Sequence, residues 1–307
     1  MGRWKTVVAW ALVTPFATWT LVRVSGWDAA FRWVQLVSFT PYVAAASAVA
    51  PLGALLLRRC SAAAAGLAVV TAFGMLLAPR AIPDGEPAAR GPELRVLAAN
   101  LLFGRTPPAD VLRLVQTLHV DVLALSELPR HAKEGLDAAG LREHLPYAED
   151  GTNDTTLYSR YPFTVPGPAP AGAVRAEVRV PGAGGPVEVV AVHTCAPLYP
   201  GLDACWRDSQ AAIPAATPDG TVRILAGDFN ATLDHTTIRR VLATGYRSAA
   251  EARGAALKAT WPADGRRLPG IAIDHVFADR RVAVLDFAVH PLPESDHRAV
   301  FARLRLP

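Results

Sequence analysis

An α/β domain with substantial antiparallel sheet, carried behind three membrane-spanning helices, is the architecture that this sequence predicts. Apolar residues concentrate before residue 80 in uncharged runs, and a Pro/Gly-rich stretch follows them. Beyond it, short aliphatic or β-branched runs end repeatedly at polar residues, the texture of many strands and few helices. The 307 residues allow one large domain or two ordinary ones. With 51% hydrophobic and 19% charged residues, a disordered or low-complexity chain is excluded. Three cysteines exclude a disulfide-dense scaffold and a multi-cysteine zinc module. The mean hydropathy of +0.22 is high for a purely soluble enzyme.

Residues 6–22, 33–57 and 61–78 are free of charge and are bounded by Lys5, Arg23, Arg58, Arg59 and Arg80. A bilayer core about 30 Å thick needs roughly 17–25 apolar residues as helix, so all three runs qualify. Trp4, Trp10, Trp19, Trp27 and Trp33 cluster around the first two, several at positions suited to the membrane interface. A cleaved signal peptide is the alternative for the first run, but no small-x-small site follows promptly. A buried helical bundle is the alternative for the whole region, although uncharged runs of this length are rare in soluble helices. Arg3, Lys5, Arg58 and Arg59 share one side, and Arg23, Arg32 and Arg80 the other. The positive-inside rule then gives a cytoplasmic amino terminus and an outside placement for everything after the third span. Cys60 falls at the cytoplasmic edge. Cys195 and Cys205 are either a loop-closing disulfide, which an outside domain permits, or two free thiols.

Residues 1–79 are thus a membrane anchor. Residues 80–93 read as an extended linker, since the stretch 78–93 holds four prolines and two glycines. A second domain occupies 94–307. Within it, strands are expected at 94–99, 122–125, 156–159, 176–180, 187–193, 222–226, 271–278 and 301–306. Helical spacing covers 109–118 and 234–244, and a packed helix is expected to start at Trp206-Arg207. No internal repeat is present.

Polar residues recur where strands stop: Asn100, Glu127, His193, Asp228 with Asn230, Asp274, and Asp296 with His297. Strand ends facing one crevice are where open sheets assemble sites. Singly each has a structural reading: Asn100 as a turn residue, Glu127 as a cap, Asp228 and Asn230 as a turn. Together they supply carboxylates, amides and two histidines. His275 follows Asp274 in a strand and points to the opposite face, so it is excluded. His119, His131, His144, His235 and His290 have ordinary surface or core readings, and Arg160 reads as a structural ion pair.

In this order, Asn100, Glu127, His193, Gly227-Asp228-Phe229-Asn230, Ile273-Asp274-His275-Val276-Phe277 and Ser295-Asp296-His297 resemble the endonuclease/exonuclease/phosphatase superfamily. Thr156–Ser159 followed by Arg160-Tyr161-Pro162 resembles another of its segments. Ser126 departs from the pattern, in which Gln usually precedes the glutamate. The resemblance covers 94–307 and implies an α+β four-layer sandwich, two facing mixed sheets covered by helices. It also implies metal-dependent phosphoester hydrolysis, with Mg²⁺ as the cofactor and Mn²⁺ as a possible substitute. By that resemblance Glu127, Asn100 and Asp296 are the metal ligands, and their oxygens suit a hard cation. Asp228 orients or deprotonates the attacking water, Asn230 holds phosphate oxygens, Asp274 pairs with His297, and His193 is a second donor. Whether Asp228 or His297 acts as the base stays open.

Charge narrows the substrate. Residues 1–93 hold 8 basic and 4 acidic residues, which is all of the +4, whereas 94–307 hold 23 of each. The pI near 9.2 therefore reports the anchor rather than a nucleic-acid footprint. A membrane-embedded phosphate ester is the expected substrate, either a lipid-linked phosphate or pyrophosphate or a phospholipid head group. The lipid membrane and that phosphorylated lipid are the expected partners; no protein partner is indicated. The layout resembles membrane-bound bacterial proteins linked to teicoplanin resistance. The alternatives are a membrane-tethered extracytoplasmic nuclease acting on DNA or RNA, a catalytically idle binding protein, and an enzyme of soluble phosphorylated substrates.

Overall fold

In the computed structural model, which describes residues 2–307, the first apolar run forms helix α1 (Arg3–Ser25), stopped by Gly26 in the left-handed conformation at φ 76°. The second run, expected as one span over 33–57, is broken into α2 (Phe31–Val37), α3 (Thr40–Ala46) and α4 (Val49–Leu56). A bend of 67° separates α2 from the helical stretch beginning at Thr40. Pro41, in the first turn of α3, has no N–H to donate to the preceding turn, so the helix cannot run through it unbroken. Thr40 fixes the corner: its Oγ1 donates to Val37 O at 2.7 Å and accepts from Trp19 Nε1 at 3.1 Å. The third run is α5 (Cys60–Ala81).

Helices α1 and α5 are each long and apolar enough to cross a membrane, and the broken segment makes a third if it counts as one span. The chain runs three times between the same two ends. Arg59 donates to Gly2 O at 2.5 Å at one end, and Arg23 and Arg80 meet at the other. Small residues let α1, α4 and α5 approach closely through Ala9, Val13, Ala50, Ala54 and Ala62. Val7, Leu21, Leu67 and Met75 remain exposed on the outside, which is not the surface of a buried soluble bundle.

The rest of the chain supplies, in order, β1 (Glu93–Asn100), α6 (Pro108–Thr117), β2 (Val122–Ser126), α7 (Arg130–Ala138), α8 (Leu141–His144), β3 (Tyr147–Asp150), β4 (Thr156–Ser159) and β5 (Phe163–Thr164). Then come β6 (Ala173–Val178), β7 (Val187–His193), α9 (Leu202–Ala211), β8 (Arg223–Asp228), α10 (Thr236–Ala243), β9 (Tyr246–Ser248), α11 (Ala249–Ala252), β10 (Asp274–Asp279), β11 (Ala283–His290) and β12 (Ala299–Arg305). They build two six-stranded mixed sheets, ordered β11-β12-β1-β2-β4-β3 and β5-β6-β7-β8-β10-β9.

Alternation along β1 shows how the layers stack. Leu94, Val96 and Ala98 join Val189 and Ile224 of the other sheet in the central core. Leu97 and Ala99 point outward to Val111, Val115 and Leu136 of α6 and α7. On the far side, Trp206 of α9 and Ile238 and Val241 of α10 cover the second sheet. The result is the four-layer α+β sandwich, each buried aliphatic contributing roughly 1.5–3 kcal/mol. Trp206 lies inside α9 rather than at its start, and the β10 ladder begins at Asp274, with Ile271 instead bridging to Trp261. The strands β3, β5, β9 and β11 lie outside the expected set, and they are the four sheet edges.

Helix α10 begins at Thr236, and the two residues before it take another job. Asp234 is fully buried and accepts from Arg23 Nε at 3.0 Å and from Arg80 Nη1 and Nη2 at 2.6 and 2.8 Å. His235 accepts at Nδ1 from Thr232 N, leaving its Nε2–H to donate to Val34 O at 2.8 Å. Thr236 N donates to Asp28 at 2.6 Å, and Arg239 donates to Arg23 O at 2.9 Å. The residues following α5 carry no helix or strand but are tied down, with Asp84 and Glu86 both paired to Arg247.

Candidate active site

Strand register assembles the site. In the first sheet β1 and β2 run parallel with Asn100 opposite Ser126, so Asn100 and the next residue of β2's exit, Glu127, emerge at the same end. Glu127 turns there with φ +53°. In the second sheet Asp228 is flanked by His193 on parallel β7 and by Asp274 on antiparallel β10. Gly227 is required at this point: its φ is +148°, and a Cβ would sit 2.0 Å from Val192 O. Asp296 and His297 precede β12, which pairs with β1.

The two sheets meet through these side chains. Asn100 Nδ2 donates to Glu127 Oε1 at 2.9 Å within its own sheet and to Asp228 Oδ2 at 3.0 Å across the cleft. His297 Nδ1–H donates across the same cleft to Asp274 Oδ2 at 2.9 Å. His297 Nε2 is left 3.8 Å from Asp228 Oδ2, and His193 Nε2 lies 3.8 Å from Glu127 Oε1. His193 Nδ1 is buried with no partner among the described residues. Asn230 turns at φ +44°; its N–H donates to Asp228 Oδ1 at 2.8 Å, and its side-chain amide donates to Thr194 O. The eight expected site residues are therefore brought together where the two sheets meet, with the Asn230 side chain turned to Thr194 O.

Burial opposes a charge on His297, yet Asp274, then Asp228 and Asp296, push its pKa up to about 10. The imidazole is thus held as imidazolium. Burial and the neighbouring Asp274 raise the Asp228 carboxyl above its ordinary value. Asp228, Asp274 and His297 converge tightly enough to hold a metal ion. A cationic ring whose Nδ1–H is committed to Asp274 is nevertheless a poor ligand. Glu127 and Asp228 present carboxylate oxygens on the other side of the cleft, which suit a hard divalent cation, whereas Asn100 Oδ1 accepts from Leu102 N at 3.0 Å and would have to turn over to join them. The neutral Asn100 amide donates its N–H groups to both the Glu127 and Asp228 carboxylates, and it is the negative charge of that pair that would attract such an ion. Asp296 is more encumbered, since its Oδ2 accepts from Trp261 Nε1 at 3.0 Å and lies 3.3 Å from Arg266.

Supporting residues absent from the sequence reading appear around this set. Thr260 Oγ1 accepts from the backbone N–H groups of Ile273 and Asp274, fixing the start of β10. Trp261 and Arg266 orient Asp296. Ser295 Oγ donates to Asn100 O at 2.7 Å and accepts from His297 N at 3.0 Å, joining the His297 loop to the end of β1. Ser295 belongs to the Ser295-Asp296-His297 motif, whereas Thr260, Trp261 and Arg266 carry no signal of their own. As expected, His275 faces away: Nε2–H donates to Ala231 O at 2.9 Å, and the ring stacks on Phe277. Arg160 pairs with Asp121 at 3.0 Å. The cysteine pair left open by the sequence is a disulfide, Cys195–Cys205, closing the loop that leaves His193. A cavity of about 640 Å³ between Gly26, α9 and α10 contains none of the site residues.

No curated protein matches this chain. Among solved structures, an endonuclease/exonuclease/phosphatase from Beutenbergia cavernae is 20% identical with a TM-score of 0.54, over 71% of this chain and 72% of that one. The Bacteroides thetaiotaomicron mannosyl-6-phosphatase is 16% identical (TM-score 0.51, 69% and 99% covered). D. rerio TDP2, complexed with a single-strand DNA product, is also 16% identical (TM-score 0.53, 69% and 98% covered). At these identities the likeness is one of fold. The sequence itself matches the Endonuclease/Exonuclease/phosphatase family over residues 97–297, a range that contains every site residue above. The chain belongs to that family, whose members are phosphoester hydrolases that typically depend on a divalent metal.

Proposed function

We propose that the protein is a multi-pass, membrane-anchored phosphoesterase that hydrolyses a phosphorylated lipid at the outer face of the plasma membrane. The substrate class is a lipid-linked phosphate or pyrophosphate, or a phospholipid phosphodiester. One observation carries the reading. The segment leaving Asp228 and Asn230 runs directly into Asp234, which binds the arginines ending both long apolar helices. Site and helices are one body, so groups that handle phosphate stay near lipid head groups. The charge balance agrees, because 23 basic and 23 acidic residues beyond residue 93 leave no excess for gripping a nucleic-acid backbone.

Glu127 and Asn100 would hold Mg²⁺, with Mn²⁺ as a substitute and Asp228 or Asp296 contributing. When bound, the ion supplies charge that polarises a phosphoryl oxygen. His297, fixed on Asp274, presents Nε2–H to a phosphoryl oxygen, and His193 is a second donor. Asp228 Oδ2 accepts the proton of the attacking water, while Asn230 N–H steadies Oδ1. Asn230 reaches phosphate oxygens by releasing Thr194 O.

The test is a panel in detergent micelles: undecaprenyl pyrophosphate, sphingomyelin, phosphoinositides and DNA, each with Mg²⁺ and with EDTA. A lipid phosphate should be hydrolysed only with metal, and Asp228→Ala and His297→Ala should abolish the activity. Cleavage of DNA alone would move the protein to the nuclease alternative, and lipid hydrolysis equal in the variants would remove the site.

A further inference from the structure

Two loops flank the active site, and both rest on the broken helix of the amino-terminal region. The first leaves His193, is closed by the Cys195–Cys205 disulfide, and receives Gln35 Nε2 at Pro197 O (2.9 Å) and Leu198 O (3.4 Å). The second runs from Trp261, which holds Asp296, to Gly270, whose carbonyl accepts from Tyr42 OH at 2.7 Å. Gln35 belongs to α2 and Tyr42 to α3, so the corner at Thr40 lies between the two flanks of the site. Within a bilayer a helix break is tolerated where protein or a cavity satisfies the freed backbone groups. Here the turn closes on itself through Phe39 N to Leu36 O and Thr40 Oγ1 to Val37 O.

Large apolar side chains surface along the same rim. Leu198 and Tyr199 are 57% and 65% exposed at the tip of the disulfide loop, and Leu268 is 51% exposed on the other loop. Leu36 of α2, next to the Gln35 that contacts the disulfide loop, is also exposed. Scattered exposed leucines need no explanation, but a cluster of this kind beside a site marks an interaction surface. Both loops are tied to the broken segment that is apolar enough to count as a membrane span, so the chemistry the rim fits is that of acyl or polyprenyl chains.

We propose that this rim is the bilayer-facing mouth of the active site. Lipid chains lie against Leu36, Leu198, Tyr199 and Leu268 while the phosphate reaches Asp228 and His297, so the substrate need not leave the membrane. The proposal deepens, and rests on, the reading of the substrate as a membrane lipid.

Two measurements on the full chain in phosphatidylethanolamine/phosphatidylglycerol vesicles test it. In the first, Cys60→Ser combined with Leu268→Cys is labelled with an environment-sensitive nitrobenzoxadiazole dye, leaving the disulfide oxidised. Emission should shift to the blue and be quenched by nitroxide-bearing lipids. Quenching by aqueous iodide but not by nitroxide lipids overturns the rim, whatever the activity. In the second, Leu198→Glu with Tyr199→Glu should lower, about tenfold or more, the ratio of turnover on a long-chain lipid to turnover on its short-chain, water-soluble counterpart. An unchanged ratio overturns the proposal. Lipid quenching without hydrolysis of any lipid would sink the proposed function and leave the rim standing. Hydrolysis with a water-exposed dye would do the reverse.

Discussion

Two buried ionic clusters lie six residues apart on the stretch from Asp228 to Asp234, and they are built on opposite principles. At Asp234 one carboxylate meets two arginines, every oxygen is occupied, and the charges knit three parts of the chain together. At Asp228 the carboxylates of Asp228, Asp274 and Asp296 crowd one imidazolium, and Glu127 stands across the cleft. The first cluster is complete as it stands. The second holds surplus negative charge that the fold alone does not neutralise, which is what a site awaiting a cation and a phosphate requires. Two guanidinium groups on one carboxylate leave the first cluster with surplus positive charge, so the sign of the surplus, more than burial, separates the chemical site from the structural one.

Opposite responses to the loss of one carboxylate test that contrast. Asp228→Asn should cost about 10²–10⁴-fold in turnover on whichever substrate the panel identifies, as expected for removing a positioned general base. Its melting temperature should equal or exceed that of the parent, since a raised, buried carboxylate beside Asp274 is relieved. A clear drop in melting temperature would show that the catalytic cluster is structural after all. Asp234→Ala strands two buried guanidinium groups and should destabilise the docked domain by about 3–5 kcal/mol. Thermal melting and limited proteolysis in the residues between α5 and β1 would report it, and an unchanged melt would mean that the arginines find water instead.

A smaller effect comes from His275, directly behind the site. Burial depresses its pKa to about 4, below the ordinary value of 6.5. The folded state therefore prefers the neutral ring. Its contribution is fully present above about pH 6.5 and is lost as pH falls toward 4, on the order of 3 kcal/mol across the window. Melting curves at pH 7 and pH 4.5, set against His275→Leu, should show a steeper acid loss in the parent. Parallel curves would mean that the ring is already charged or solvated.

How far the sequence foretold this arrangement depends on where each element sits. The central strands β1, β2, β7, β8 and β12 are covered on both sides and need continuous apolar runs, which are visible without coordinates. The edge strands β3, β5, β9 and β11 pair on one side only. Tyr147–Asp150 and Phe163–Thr164 are short and largely uncovered, so they carry no apolar run. The site residues stood out because they end central strands in a known order. The docking cluster did not, because Arg23 and Arg80 lie 211 and 154 positions from Asp234. As isolated residues the arginines carry only a topology signal, and Asp234 looks like a helix start. Thr260 and Trp261 were silent for the same reason, since their roles exist only once Trp261 bridges to Ile271. The unbroken apolar composition of 33–57 concealed the corner that Pro41 imposes.

The pairing of Arg23 and Arg80 on one carboxylate also makes the molecule a gauge. Under the proposed membrane reading, the distance from the bilayer surface to the reacting phosphorus would be set by the lengths of α1 and α5, not by a flexible tether. Inserting one helical turn in either would displace its arginine by about 5.4 Å, too far to reach Asp234 while the other stays in place. Under the proposed lipid reading, selection among phosphorylated lipids would then fall partly to head-group height: phosphates that stand too deep or too proud of the surface would miss His297, however well their chemistry suits the site.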